Sequence, residues 1–297
     1  MRVIRWGRAE YEVGDLQGLL PEHEVLELDG ELPWEEADVL VVPSVRRVTA
    51  AVVGRLRRCR LVLTTTSGCD HLDLVALRNA GIPAARLPLA RRDAVVHTTL
   101  GMMLSLTRRL PTFHEAALAG KWERARLHEI RATLLGTVGV IGVGVIGSQM
   151  VKVLAPLSHR TLFNDPLLPD STPLERLLAE SDVITLHCEL TRETRGLLDD
   201  RRLDTLRPET ILINTARGGL RDVQAAAARV RAGRLGGLGV DVFPEEPTDL
   251  SALASPRVLV TPHASGWHPG LWADVRAGVR GAVRALAAGE AVPFRVP

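Results

Sequence analysis

The sequence predicts an α/β fold on two observations: short β-branched apolar runs recur along the chain, and helical stretches separate them. In the first third the runs are Val3-Ile4, Val39-Leu40-Val41-Val42 and Leu61-Val62-Leu63-Thr64-Thr65. In the middle they are Val138-Gly139-Val140-Ile141, Thr161-Leu162-Phe163, Val183-Ile184-Thr185-Leu186, Ile211-Leu212-Ile213, Leu238-Gly239-Val240 and Val258-Leu259-Val260. Near-continuous apolar character marks strands buried on both faces, as in parallel sheets with helical crossovers. Between the two strand sets, His97 to Ala119 places Leu100, Met103, Leu104 and Leu110 near helical spacing, with Pro111 as a kink or break. A second helix is expected over Leu271 to Ala288, before Gly289, with Val275, Val279, Val283 and Leu286 on one stripe. No strand pattern follows it, so that helix is expected to pack on something already built.

Composition narrows the class. The chain has 297 residues, 46% hydrophobic and 24% charged, a globular balance long enough for two modest domains. The 37 basic residues face 35 acidic ones and no block of five like charges occurs, so no nucleic-acid surface is indicated. All the basic residues except Lys121 and Lys152 are arginines, most of them read as surface charge. Cys59, Cys69 and Cys188 are far apart and form no CxxC pair, which fits a reducing cytoplasm. The opening segment, Met1 to Arg8, carries no signal-peptide core, and charges recur through Glu12. Thr133 to Val151 is uncharged over a length that could cross a bilayer, but Gly136, Gly139, Gly142, Gly144 and Gly147 suit a strand, a tight turn and a helix start instead. No membrane partner is therefore expected.

Val138 to Ile141 runs into Gly142-Val143-Gly144-Val145-Ile146-Gly147, and Ser148 to Leu154 has helical character. Strand, GxGxxG and helix thus follow in the order of a dinucleotide turn. The first glycine permits the turn, the second lets backbone approach a pyrophosphate, and the third allows close helix–strand packing. The next strand ends at Asn164-Asp165, and Asp165 lies 18 residues past the last glycine, where a ribose-binding acid belongs. Its carboxylate would accept from the adenosine 2′-hydroxyl and repel a 2′-phosphate, which favours NAD over NADP. No arginine directly follows it, and Arg160 is read as a surface residue.

Ligands in an open parallel sheet lie beyond the carboxyl ends of the strands. His187-Cys188, Asn214-Thr215-Ala216-Arg217-Gly218-Gly219, Asp241-Val242-Phe243-Pro244-Glu245-Glu246-Pro247 and Thr261-Pro262-His263-Ala264-Ser265-Gly266 follow four successive strands. They deliver Arg217, Asp241, Glu246 and His263 toward one crevice. Reduction of a 2-oxo acid needs a planar, forked donor for the carboxylate and carbonyl, which Arg provides. It also needs an acid near neutrality, which is a His, with a Glu nearby to favour the imidazolium.

On these motifs the chain resembles the D-isomer-specific 2-hydroxyacid dehydrogenases over roughly Thr64 to Gly266. The resemblance implies Arg217, Glu246 and His263 as the catalytic triad. It implies Gly142, Gly144, Val145, Ile146, Gly147, Asp165, Cys188, Ala216, Asp241 and His263 along an NAD cofactor. It matches the family's substrate loop to Ser67-Gly68-Cys69-Asp70-His71-Leu72-Asp73, with the N–H groups of Ser67 and Gly68 and the Arg217 side chain holding the substrate carboxylate. The implied fold is two doubly wound parallel-sheet domains. One is a flavodoxin-like substrate domain of residues 1–93 and 268–297, the other a Rossmann cofactor domain of residues 94–267. A cytoplasmic homodimer through the cofactor domain is implied, with the helix starting near His97 as an interface element, and a small 2-oxo or D-2-hydroxy acid as substrate, of the glyoxylate, hydroxypyruvate or phosphoglycerate kind.

Departures from the family pattern avoid the triad. Glu189 stands where a proline is usual, His71 replaces an Asn, and Val96 replaces a Glu before His97. Thr64-Thr65-Thr66, Arg91-Arg92 and Trp267-His268 bear on the pocket; Arg91-Arg92 read either as substrate charge partners or as surface, and Trp267 either as pocket wall or core. No metal is expected: His114-Glu115 and His128-Glu129 begin like HExxH, but Leu118 and Ala132 stand at the second histidine position. Cys188 has no assignable base and is not expected to act as a nucleophile. The rivals are an NAD-sensing, corepressor-like binding protein, and formate or phosphite oxidation on the same fold.

Overall fold

The computed structural model describes residues 1–7, 16–130 and 135–296. Arg8, Glu12, Ala132 and Thr133, named above in the readings of the opening segment, the second HExxH-like stretch and the uncharged stretch, lie outside the described residues. The chain divides into two units, Met1–Arg91 with His268–Pro297, and Arg92–Trp267.

The first unit begins with strands β1 (Arg2–Trp6), β2 (Glu24–Leu28) and β3 (Val39–Val42), helix α1 (Ala50–Val53), β4 (Leu61–Thr64), α2 (Leu74–Asn79) and the two-residue β5 (Ala84–Ala85). These five strands pair in parallel. Successive side chains alternate between faces: Val3, Val39, Val41, Leu61 and Leu63 enter one core cluster, Ile4, Leu40, Val42 and Val62 the other. Both faces are buried, as the unbroken apolar runs required.

Helix α3 (Leu89–Thr107) contains the boundary between the units. It starts earlier than the apolar spacing indicated and ends before Pro111. The chain turns at Arg109, whose φ is 56°, and resumes as α4 (Leu110–Leu118) with the proline in its first turn, where a missing N–H costs little. Leu104 and Leu110, expected on the packed stripe, are exposed, whereas Met103 is fully buried.

The second unit continues with β6 (Thr137–Ile141), α5 (Val145–Leu154), β7 (Arg160–Asn164), α6 (Leu174–Glu180), β8 (Val183–Leu186), α7 (Asp200–Asp204), β9 (Ile211–Asn214), α8 (Val223–Arg231), β10 (Gly237–Val240) and β11 (Val258–Val260). The sheet order is β7-β6-β8-β9-β10-β11, all parallel, with Ile141, Ile184 and Leu212 on one face and Val140, Val183 and Ile213 on the other. The order of a complete dinucleotide sheet adds a strand outside β7; none occurs there among the described residues. Of the uncharged stretch, the described part folds as β6, the glycine turn and α5. Among the described residues no helix is long and apolar enough to cross a membrane.

The chain then returns to the first unit as α9 (Leu271–Ala288) and β12 (Arg295–Val296). Helix α9 buries Val275, Val279 and Val283 in the cluster that holds Val3 and Leu63, and ends on Gly289 with φ 74°. Contrary to the expectation of no strand after that helix, β12 pairs antiparallel with β5 and completes the order β2-β1-β3-β4-β5-β12.

Candidate functional site

Four strand ends of the second unit carry the candidate residues, and the glycine turn comes first. Gly142 adopts φ 87°, and a Cβ there would run into the backbone of His187 and Cys188. A Cβ on Gly147 would strike the carbonyl of Gly142, while the Cβ position of Gly144 opens on empty space. Two glycines therefore allow close packing and the middle one leaves room for a ligand, as a pyrophosphate cradle requires. Gly144 begins α5 with no side-chain cap, so the helix offers backbone N–H groups at that spot. These residues fit a dinucleotide.

Asp165 joins this turn directly. Its Oδ2 accepts from Val143 N at 2.8 Å and its Oδ1 from Leu167 N at 3.0 Å, while its own N–H donates to Ser171 Oγ at 2.9 Å. The carboxylate at the end of β7 is thereby pinned beside the glycine loop. Arg160, on the same strand, pairs with Glu180 at the surface. His187, after β8, is partly buried, and the loss of water around its ring lowers its pKa to about 4, so it is neutral near pH 7; Thr185 Oγ1 lies 3.0 Å from its Nε2. Burial raises the neighbouring Cys188 thiol to about 11, which keeps it protonated and unreactive.

After β9 the Asn214 side chain clasps the next turn, its Nδ2 donating to Arg217 O at 2.9 Å and its Oδ1 accepting from Ala216 N at 3.1 Å. The hydroxyls of Thr99 and Thr215 lie 2.8 Å apart; Thr99 gives its hydrogen to Val95 O, so Thr215 donates to Thr99. Gly218 then packs against the carbonyl of Phe243 and the nitrogen of Pro244, which leaves no room for a side chain. That approach sets the Arg217 turn beside the segment bearing Glu246.

Glu246 is held by two different donors. Phe243 N donates to its Oε1 at 2.8 Å, and His263 Nδ1 donates to its Oε2 at 2.6 Å. Burial opposes ionisation of Glu246, but the hydrogen bonds from His263 and Phe243 and the charges of His263 and Arg217 outweigh it and hold the carboxyl below its usual pKa. With Nδ1 committed to Glu246, the Nε2 of His263 is the nitrogen left to exchange a proton. His263 itself has φ 53°, a strained conformation for a non-glycine residue.

Asp241 keeps that strain in place. Fully buried, it accepts from Thr261 Oγ1 at 2.6 Å and Ala264 N at 2.8 Å through Oδ1, and from Ser265 N at 3.1 Å through Oδ2. Its backbone carbonyl also accepts from His263 N at 2.8 Å. Sequence reasoning assigned Asp241 only to the cofactor and gave Asn214 no role; a turn-forming Asn after a strand was the available signal for the latter.

The first unit presents the loop after β4. Among the described residues the N–H groups of Ser67 and Gly68 donate to nothing, which suits an anion. Asp73, aligned above with the substrate loop, caps α2 by accepting from Ala76 N at 2.9 Å. His268 Nε2 lies 2.8 Å from Ala90 O, and Trp267 is 54% exposed, which removes the core alternative for it.

The sequence model for the D-isomer specific 2-hydroxyacid dehydrogenase NAD binding domain matches residues 100–265. The D-3-phosphoglycerate dehydrogenase of Methanocaldococcus jannaschii is 33% identical over 241 residues, 77% of this chain but 46% of that protein, so the chain spans less than half of that relative's length. The hydroxypyruvate reductase of Thermotoga maritima is 32% identical over 239 residues, 77% of this chain and 78% of that one. A solved D-lactate dehydrogenase from Aquifex aeolicus, complexed with NAD and lactic acid, matches with a TM-score of 0.83 at 26% identity, covering 97% of this chain and 96% of that one.

Proposed function

This chain belongs to the D-isomer-specific 2-hydroxyacid dehydrogenase family, and we propose that it interconverts a small 2-oxo acid and its D-2-hydroxy acid with NAD(H). The observation that carries the proposal is the His263–Glu246 hydrogen bond of 2.6 Å, on a carboxylate also stabilised by the charge of Arg217. Bound NADH supplies the hydride. Arg217 orients the carboxylate and carbonyl of the substrate with its forked donors. The Nε2 of His263 gives a proton to the carbonyl oxygen during reduction and takes it back during oxidation. Glu246 acts through His263, accepting from Nδ1 and so fixing the ring orientation and leaving Nε2 as the nitrogen that exchanges the proton.

The N–H groups of Ser67 and Gly68 take the substrate carboxylate, and residues 1–91 with 268–297 serve as the substrate domain. Gly142, Gly144, Val145, Ile146, Gly147, Asp165, Cys188, Ala216 and Asp241 form the cofactor set, and Asp165 selects NAD over NADP. The chain works as a cytoplasmic homodimer, a reading supported by three free cysteines and by exposed Leu110, Leu118, Trp122 and Leu127 in the cofactor unit, apolar surface that a second copy would cover. A purely NAD-sensing role is disfavoured by the assembled pair of Glu246 and His263, which cofactor binding alone does not require.

The test is Arg217→Ala. It should abolish reduction of glyoxylate and hydroxypyruvate while leaving NADH affinity nearly intact by calorimetry. Wild-type turnover in that variant would refute the assignment.

A further inference from the structure

The loop after β4 carries more polar groups than a single carboxylate needs. Along Thr64–Gly68 the hydroxyls divide by position. Thr66 Oγ1 donates to Gly68 O at 3.0 Å, so the 2.9 Å contact between Thr64 and Thr66 has Thr64 as donor. Those two hydroxyls are satisfied within the loop. The alternate residues, Thr65 and Ser67, are not: Thr65 Oγ1 and Ser67 Oγ are both shielded from solvent with no hydrogen-bond partner, and Thr65 is 2% exposed. A buried hydroxyl left unpaired costs free energy, so two in one loop point to a missing acceptor.

Positive charge converges on the same two residues. Arg91 Nη1 donates to Thr65 O at 2.6 Å, and Arg86 Nη1 donates to Ser67 O at 3.3 Å. The Cζ of Arg91 also lies over the Trp272 ring, 5.8 Å from its centroid. A ligand matched to two hydroxyls beside two guanidinium charges is an oxyanion with several acceptor oxygens.

We propose that this loop holds a second oxyanion of the substrate, on Thr65 and Ser67 with Arg91, in addition to the carboxylate on the Ser67 and Gly68 N–H groups. The substrate is then a 2-oxo or 2-hydroxy acid with a second acidic group, a phosphate ester or a second carboxylate. This rests on the activity proposed above and narrows its substrate class. Arg91, left open by the sequence between substrate partner and surface charge, becomes a specificity residue.

Two matched pairs test it: hydroxypyruvate against its phosphate ester, and 2-oxovalerate against 2-oxoglutarate, each with NADH. The dianion of at least one pair should have a kcat/KM higher by about 10- to 100-fold, the range of a charge-assisted contact, and the pair that shows it separates phosphate from carboxylate. Arg91→Gln should bring that ratio toward one. Thr65→Val should lower the ratio without lowering Tm, because it removes an unpaired buried hydroxyl; a purely structural hydroxyl would not move the ratio. In parallel, the NADH-saturated protein is titrated with phosphoglycolate, malonate and glycolate by calorimetry. Lack of turnover on every 2-oxo acid would sink the activity reading alone, and the calorimetric preference would still decide the subsite. Equal affinity for all three ligands, or Arg91→Gln weakening both members of a pair alike, would overturn the subsite.

Discussion

Acidification should loosen the cofactor unit through His187. This residue follows β8, its N–H donates to Ile141 O at 2.7 Å, and its backbone is what a side chain on Gly142 would strike. Burial lowers its pKa from the ordinary 6.5 to about 4. Between those pH values the unfolded chain binds a proton that the folded chain refuses, so stability falls as pH drops through the window, with no loss above 6.5 and the full loss below about 4. The difference corresponds to about 3 kcal/mol, of which about 2 kcal/mol is gone by pH 5. Urea unfolding at pH 7.5 and 5.0 measures it, with His187→Gln as the comparison, since Gln cannot titrate and can still reach Thr185. Wild type should lose about 2 kcal/mol more than the variant between the two pH values, and its NADH affinity should fall with it. Parallel losses in the two proteins would refute the reasoning.

Three further outcomes follow from the geometry. Glu246→Gln replaces the carboxylate that accepts from His263 Nδ1 and should cut kcat for reduction by about 100-fold with NADH affinity unchanged; an unchanged kcat would remove Glu246 from the mechanism. Because the Glu246 carboxyl titrates below its ordinary value of 4.5, any loss of wild-type activity due to its protonation should have its midpoint below that pH. Gly142→Ala forces a side chain into a left-handed position and into the His187–Cys188 backbone, so NADH should bind at least about 10-fold more weakly by calorimetry. Wild-type affinity in that variant would contradict the proposed cradle.

The elements that sequence reasoning found are those with local signals. All six strands of the second sheet were legible because each holds a short run rich in apolar and β-branched residues, and α9 because its valines recur at helical spacing up to a glycine stop. β2, β5 and β12 escaped. Glu24–Leu28 breaks its apolar residues with Glu24 and Glu27, while Ala84–Ala85 and Arg295–Val296 are two-residue strands whose only definition is their pairing. Such pairing depends on a partner far away in sequence, which no periodicity announces. The expectation that arginines other than Arg217 are mostly surface charge also has buried exceptions: Arg229 is 7% exposed and bonded to Asp200 and Asp204, and Arg221 is 3% exposed with a pKa lowered by burial to about 9.

At the site, the sequence by itself determined which residues stand at the strand ends and why a glycine turn followed by an acid suits a dinucleotide, because those properties depend on residue type and short-range order. Tertiary structure decided which groups act on one another. Glu245 and Glu246 are adjacent and chemically alike, yet only Glu246 is divided between Phe243 N and His263 Nδ1. Asp241 sits beneath the His263 loop and stabilises its left-handed residue, and Asn214 holds the Arg217 turn. Each of these facts is a hydrogen bond of specific length and direction. That geometry exists only once separate strands are packed side by side.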